Sequence, residues 1–253
     1  MDKNAEKYYG ISPYAYCVGT PISGIDMDGK KVIWINGWTA KKNIGNNYWG
    51  IFLSLVANLY NENKDNYAFY DGSIGGIENT ITHLFSPEHS ISNLNLCYQN
   101  RYNMGYEQGV LDRNEIINSL KKDKSGRIVE QIRIIAHSMG AAYAKGFAQA
   151  LVEFAQMFPN LCEGLRIVEY DFAPYQPEQQ TSVAGVDTYQ FSHKDDWIAG
   201  FNPEKGNVTY LDPFIAKGTS HSLSSFEEEI YNLKEGRYIF ENGKFIYVGS
   251  PKY

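Results

Sequence analysis

The chain has 253 residues, 43% of them hydrophobic and 21% charged, which is enough apolar material to build a sizeable core. A formal net charge of −6 and a pI near 5.4 argue against a nucleic-acid partner. Three scattered cysteines, Cys17, Cys97 and Cys162, with no Cys-x-x-Cys pair, exclude a disulfide framework and give no metal or redox motif, so no metal or cofactor is expected.

Residues 1–30 combine turn formers and aromatics without a helical period. No apolar run approaches membrane-spanning length, and the polar first residues lack a signal-peptide core, so a soluble molecule is expected, cytoplasmic unless a larger protein carries it out. Tyr9-Gly10-Ile11-Ser12-Pro13-Tyr14-Ala15-Tyr16 is followed by Thr20-Pro21-Ile22 and Asp26-Met27-Asp28-Gly29. This series resembles the end of the RHS-repeat-associated core, the shell-forming part of bacterial polymorphic toxins. The usual form is Y-x-x-S-P-Y-x-Y, then N-P-I, then D-P-D-G; Thr20 replaces the Asn and Met27 the Pro of D-P-D-G. The resemblance implies a linker-like remnant over 1–30 ahead of an effector domain over 31–253, delivery within a larger RHS protein, and an immunity protein as partner. Asp26–Gly29 is not a calcium loop, because no glutamate follows at the required offset.

From residue 31 strands and helices alternate. A β-rich run over 31–35 ends in Asn36-Gly37-Trp38-Thr39, and 48–60 carries Ile51, Leu55 and Leu59 at helical spacing. A strand over 67–70 stops at Asp71-Gly72. Residues 72–109, rich in Gly, Asn and Tyr, read as an insertion or lid. Asp112 is expected to cap a helix reaching Leu120. Strands follow over 132–135, 165–170 and 188–191, helices over 140–158 and 226–233, and a hairpin over 238–248 about Asn242-Gly243. The alternation predicts an α/β fold: a mainly parallel sheet with helices on both faces and its function at the carboxyl ends of the strands.

The richest segment is Arg133-Ile134-Ile135-Ala136-His137-Ser138-Met139-Gly140-Ala141-Ala142. A β-branched strand runs into a serine between small residues, and a helix pattern starts directly after it. This has the form of a nucleophile elbow, G-x-S-x-G, with Ala136 in place of the first glycine. The residues two before and two after the serine are expected to approach closely, which admits only Gly or Ala. A serine hydroxyl needs a base to take its proton. Five histidines are available, His83, His89, His137, His193 and His221. His83 and His89 precede the elbow in a loop-rich stretch, and His137 is expected to point away from the apex.

Two further stretches resemble lipases. Val32-Ile33-Trp34-Ile35-Asn36-Gly37-Trp38 is similar to the V-x-V-H-G-W strand and loop, with Asn36 replacing His. Ser192-His193-Lys194-Asp195-Asp196-Trp197-Ile198 resembles the S-x-x-D-x-V signature that closes their seventh strand. With the elbow, these motifs make residues 31–235 resemble lipase-like α/β hydrolases. The resemblance implies the chain order Ser, acid, His, which selects Ser138 as nucleophile and His221 as base, with His193 next in line. Asp196 fits the acid best, because Ile198 then takes an apolar, turn-anchoring position. Asp195 and Asp171 remain alternatives, the latter because some lipases take the acid from the sixth strand. The oxyanion hole falls to the N–H of Met139 and to the loop of Gly37 and Trp38, where Gly37 permits close approach and Trp38 donates. The implied activity is ester hydrolysis through an acyl-enzyme, on a lipid. Non-lipid esterase, thioesterase or amidase activity is the alternative within the class, and a non-catalytic binding module on the same scaffold the alternative outside it.

Overall fold

The apolar runs assemble into a six-stranded sheet in which every neighbouring pair is parallel. The computed structural model describes residues 31–38, 45–60, 67–73, 94–194, 196–199, 202–211, 221–226, 237–241 and 244–249. The sheet comprises β1 (Lys31–Asn36), β2 (Tyr67–Asp71), β3 (Gln131–His137), β4 (Arg166–Phe172), β5 (Val186–Phe191) and β6 (Val208–Leu211), in the order β2-β1-β3-β4-β5-β6. The described helices are α1 (Asn46–Trp49), α2 (Ile51–Tyr60), α3 (Leu94–Ser119) and α4 (Gly140–Met157).

Both faces of the sheet are covered, which is why β1 and β3 read as continuous apolar runs rather than as alternating ones. Successive side chains on β1 enter different cores. Ile33 and Ile35 join Ile132, Ile134 and Ala136 of β3 against α3 and α4. Val32 and Trp34 join Ile135 against Trp49, Phe52 and Val56 of α1 and α2. The chain leaves β1 toward β2 and then returns across β1 to β3. The strand order therefore reverses between β1 and β3, the kind of switch point at whose carboxyl ends open α/β sheets bind ligands. The loop Asn36-Gly37-Trp38 and Ser138 both lie at those ends.

Three expectations change. Residues 94–109 are not irregular; they are the first half of α3, which packs along α4. Asp112 therefore caps nothing. It sits within the helix and accepts hydrogen bonds from Tyr70 Oη at 2.7 Å and Gln108 Nε2 at 2.8 Å. Strand β6 was not expected at all. Leu223–Phe226 forms a 3-10 turn, and the rest of the helix expected over 226–233 lies outside the described residues. Residues 1–30 and 74–93 also lie outside them. The expected hairpin is present as β7 (Arg237–Glu241) and β8 (Lys244–Gly249), paired antiparallel.

Candidate active site

Ser138 follows β3 without a spacer and takes φ 56°, a left-handed conformation uncommon for a residue with a side chain. Its N–H donates to Phe172 O at 2.9 Å, so β4 supports the chain up to the apex. Helix α4 begins two residues later. The small residue demanded at position 140 has a different cause from the expected one. A Cβ on Gly140 would lie 2.5 Å from Ile35 O and 2.8 Å from Asn36 O, so the end of β1, not residue 136, supplies the nearest atoms. A Cβ on Gly37 would lie 2.7 Å from the Ser138 Cβ. One on Gly72 would meet Asn36 O at 2.5 Å and the Gly140 Cα at 2.6 Å. These glycines let the loops after β1, β2 and β3 pack backbone to backbone.

His221 Nε2 lies 2.8 Å from Ser138 Oγ, and His221 Nδ1 lies 2.8 Å from Asp196 Oδ2. A carboxylate only accepts, so Nδ1 carries the hydrogen and Nε2 is left to accept from the serine hydroxyl. Asp196 is buried, and its other oxygen accepts from the N–H groups of Ile198 at 3.0 Å and Ala199 at 2.9 Å. Burial pushes the Asp196 carboxyl up. The hydrogen bonds from His221, Ala199 and Ile198 outweigh that and hold it below the usual carboxylate range. The turn is anchored differently from expectation. Ile198 is 39% exposed, and Ala199 is the residue that is buried.

Of the described alternatives, neither the His193 nor the Asp171 side chain is hydrogen-bonded to Ser138 or His221. His193 is fully buried and stacks on Phe226, with ring centroids 4.1 Å apart. Asp171 is fully buried and faces Lys145, whose Nζ lies 2.5 Å from its Oδ2. Asp195, His83 and His89 lie outside the described residues.

Met139 immediately precedes α4, and its N–H is among those that no preceding helical turn satisfies. Gly37 N–H donates to Tyr48 Oη at 3.0 Å, so that group is already engaged. Trp38 is half exposed beside it. Tyr48 was missed as a site residue. It is one of twenty tyrosines, and nothing local in the sequence distinguishes it.

Among the described residues no group of three or more His, Cys, Asp or Glu side chains is arranged to hold a metal ion. Among the same residues no helix is long and apolar enough to cross a membrane. The sequence matches no family model and no curated protein.

Proposed function

We propose that the chain is a serine hydrolase of the α/β-hydrolase type, acting on esters through an acyl-enzyme. The observation that carries this is the hydrogen-bonded series Ser138–His221–Asp196 set on a strand-to-helix turn. In this mechanism His221 Nε2 takes the Ser138 proton as Oγ attacks the ester carbonyl. Asp196 holds the imidazole in the Nδ1–H tautomer and stabilises the cation that forms. The N–H groups of Met139 and Trp38 receive the oxyanion. His221 then hands its proton to the leaving alcohol, and water repeats the cycle to release the acid.

The favoured substrate is a lipid ester. Trp197, next to the acid, is 88% exposed, and Trp38, on the loop beside the serine, is 52% exposed. Two amphipathic ring systems in solvent near the reacting group suit a substrate presented at an apolar–water boundary. The resemblance of residues 1–30 to an RHS core supports a role as the effector part of a delivered toxin, with an immunity protein as partner.

A panel of phospholipid vesicles and short-chain p-nitrophenyl esters tests both levels. Wild type should release fatty acid from the vesicles, and Ser138→Ala should reduce turnover by several orders of magnitude while staying folded. Hydrolysis of short esters without vesicle turnover would move the substrate to small esters. Turnover that survives in Ser138→Ala would end the hydrolase proposal.

A further inference from the structure

Tyr48 bridges two parts of the site that are far apart in sequence. Its hydroxyl oxygen accepts the Gly37 N–H at 3.0 Å and lies 2.5 Å from His137 Nδ1. His137 Nε2 lies 2.9 Å from the backbone carbonyl of His221. The direction of each bond follows from chemistry. A carbonyl only accepts, so His137 Nε2 carries the hydrogen and Nδ1 is the acceptor. The Tyr48 hydroxyl must then donate to Nδ1, which leaves its oxygen free to receive the Gly37 N–H. The complete path runs Gly37 N–H to Tyr48, Tyr48 O–H to His137, and His137 N–H to the His221 carbonyl.

We propose, building on the serine-hydrolase function above, that Tyr48 and His137 are positioning residues that lock the oxyanion loop and the base loop to each other. Each end of the path governs a reacting part. The His221 carbonyl belongs to the residue whose imidazole meets Ser138, so fixing its main chain fixes the base. The Gly37 peptide precedes Trp38, so its orientation sets where the Trp38 N–H falls. Gly37 N–H itself is spent on Tyr48 and is not an oxyanion donor. His137 lies beside the nucleophile in sequence, yet it works through its neighbours and touches no reacting atom in this arrangement.

Burial keeps both groups in the required protonation states. Desolvation, with the neighbouring His221 second, pushes the His137 imidazole down to about 3, so it stays neutral and can accept at Nδ1. Burial also raises the Tyr48 hydroxyl, against the opposing hydrogen bond from Gly37, so it keeps its proton.

The test compares wild type with Tyr48→Phe, which keeps the ring and removes only the hydroxyl. Three readouts are needed: ester kinetics, thermal midpoint, and the nitrogen-15 spectrum of His137. In wild type, His137 should be the neutral Nε2–H tautomer with a hydrogen-bonded Nδ1. In Tyr48→Phe, the Nδ1 signal should move to that of an unbonded nitrogen. Turnover should fall by about 100-fold, as expected when reacting groups shift by an ångström, with KM within twofold. A general loss of fold would instead lower the thermal midpoint and the active fraction while the remaining folded molecules kept the wild-type kcat, and would overturn the positioning role. An active wild type with Tyr48→Phe within twofold of it, a loss confined to KM, or an Nδ1–H tautomer would overturn this proposal and leave the hydrolase function standing. A wild type that neither hydrolyses esters nor reacts with a fluorophosphonate would remove both.

Discussion

Lys145 Nζ lies 2.5 Å from Asp171 Oδ2, and neither side chain has exposed surface. Glu169 at 3.1 Å and Glu204 at 2.8 Å complete a buried group of one ammonium and three carboxyls. One lysine cannot balance three carboxylates away from water, so protons are retained. Burial pushes Asp171 up to about 7 and Glu204 up to about 8. For Lys145 burial acts downward, but the three carboxyls raise it well above the ordinary lysine value.

These shifts make stability depend on pH with a definite sign. The folded carboxyls keep protons that the unfolded chain releases above its ordinary carboxylate range. Their contribution is fully present below that range and is lost as pH rises through about 7 to 8. The urea midpoint should therefore fall between pH 5.5 and pH 8.5 (roughly the window that linkage defines), and Glu204→Gln should flatten that fall. An identical slope in the variant would show that Glu204 does not hold its proton.

Lys145→Met removes the cation and leaves the carboxyls. The loss should be about 3–5 kcal/mol where they are ionised, and smaller under acid conditions where they are protonated. Denaturant titrations under both conditions check this. An equal loss in each would mean that the group is not electrostatically coupled.

Gly140→Ala places a methyl against two carbonyl oxygens of β1. Backbone cannot yield as a flexible side chain does, so about 1–3 kcal/mol of stability should be lost, together with turnover as Ser138 is displaced. Urea denaturation and ester kinetics on the same preparation measure both. Full stability in the variant would contradict the packing of the β1 and β3 loops.

Separate Asp→Asn changes rank the carboxyls. Asp196→Asn should cost about four orders of magnitude in turnover with the fold intact, through the wrong imidazole tautomer. Asp171→Asn should act on stability and leave the chemistry nearly as it was, because its partner is Lys145. The reverse pattern would move the acid to β4.

The contact of His221 with Ser138 and Asp196 was expected on uneven grounds: Ser138 and Asp196 had local context, a β-branched strand with small flanking residues and an acidic strand end, whereas His221 came only from the chain order of the hydrolases the sequence resembles. Strands β1 and β3 were legible because both faces are apolar. The second half of helix α3 was legible from Ile116, Ile117 and Leu120, but its first half was not, for a specific reason. The buried positions of that half are Arg101, Gly105 and Gly109, so its face toward α4 lacks an apolar stripe. A Cβ on Gly105 would come within 1.9 Å of Tyr143 O, and one on Gly146 within 1.9 Å of Tyr102 O. Glycine there permits close helix packing, yet in sequence it signals a loop. Tyr48 was hidden in another way, since its role depends on Gly37 and His137, which only folding brings together. Asp171 was a fair candidate by position, but its alternation on β4 aims it at α4.

The claim that Ser138 is an activated nucleophile is tested most directly by fluorophosphonate labelling with mass spectrometry of the digested protein. The expected result is a single phosphonylated peptide containing Ser138, absent in Ser138→Ala and strongly slowed in His221→Ala. Labelling that persists in Ser138→Ala, or a folded wild type that takes no label, would contradict it.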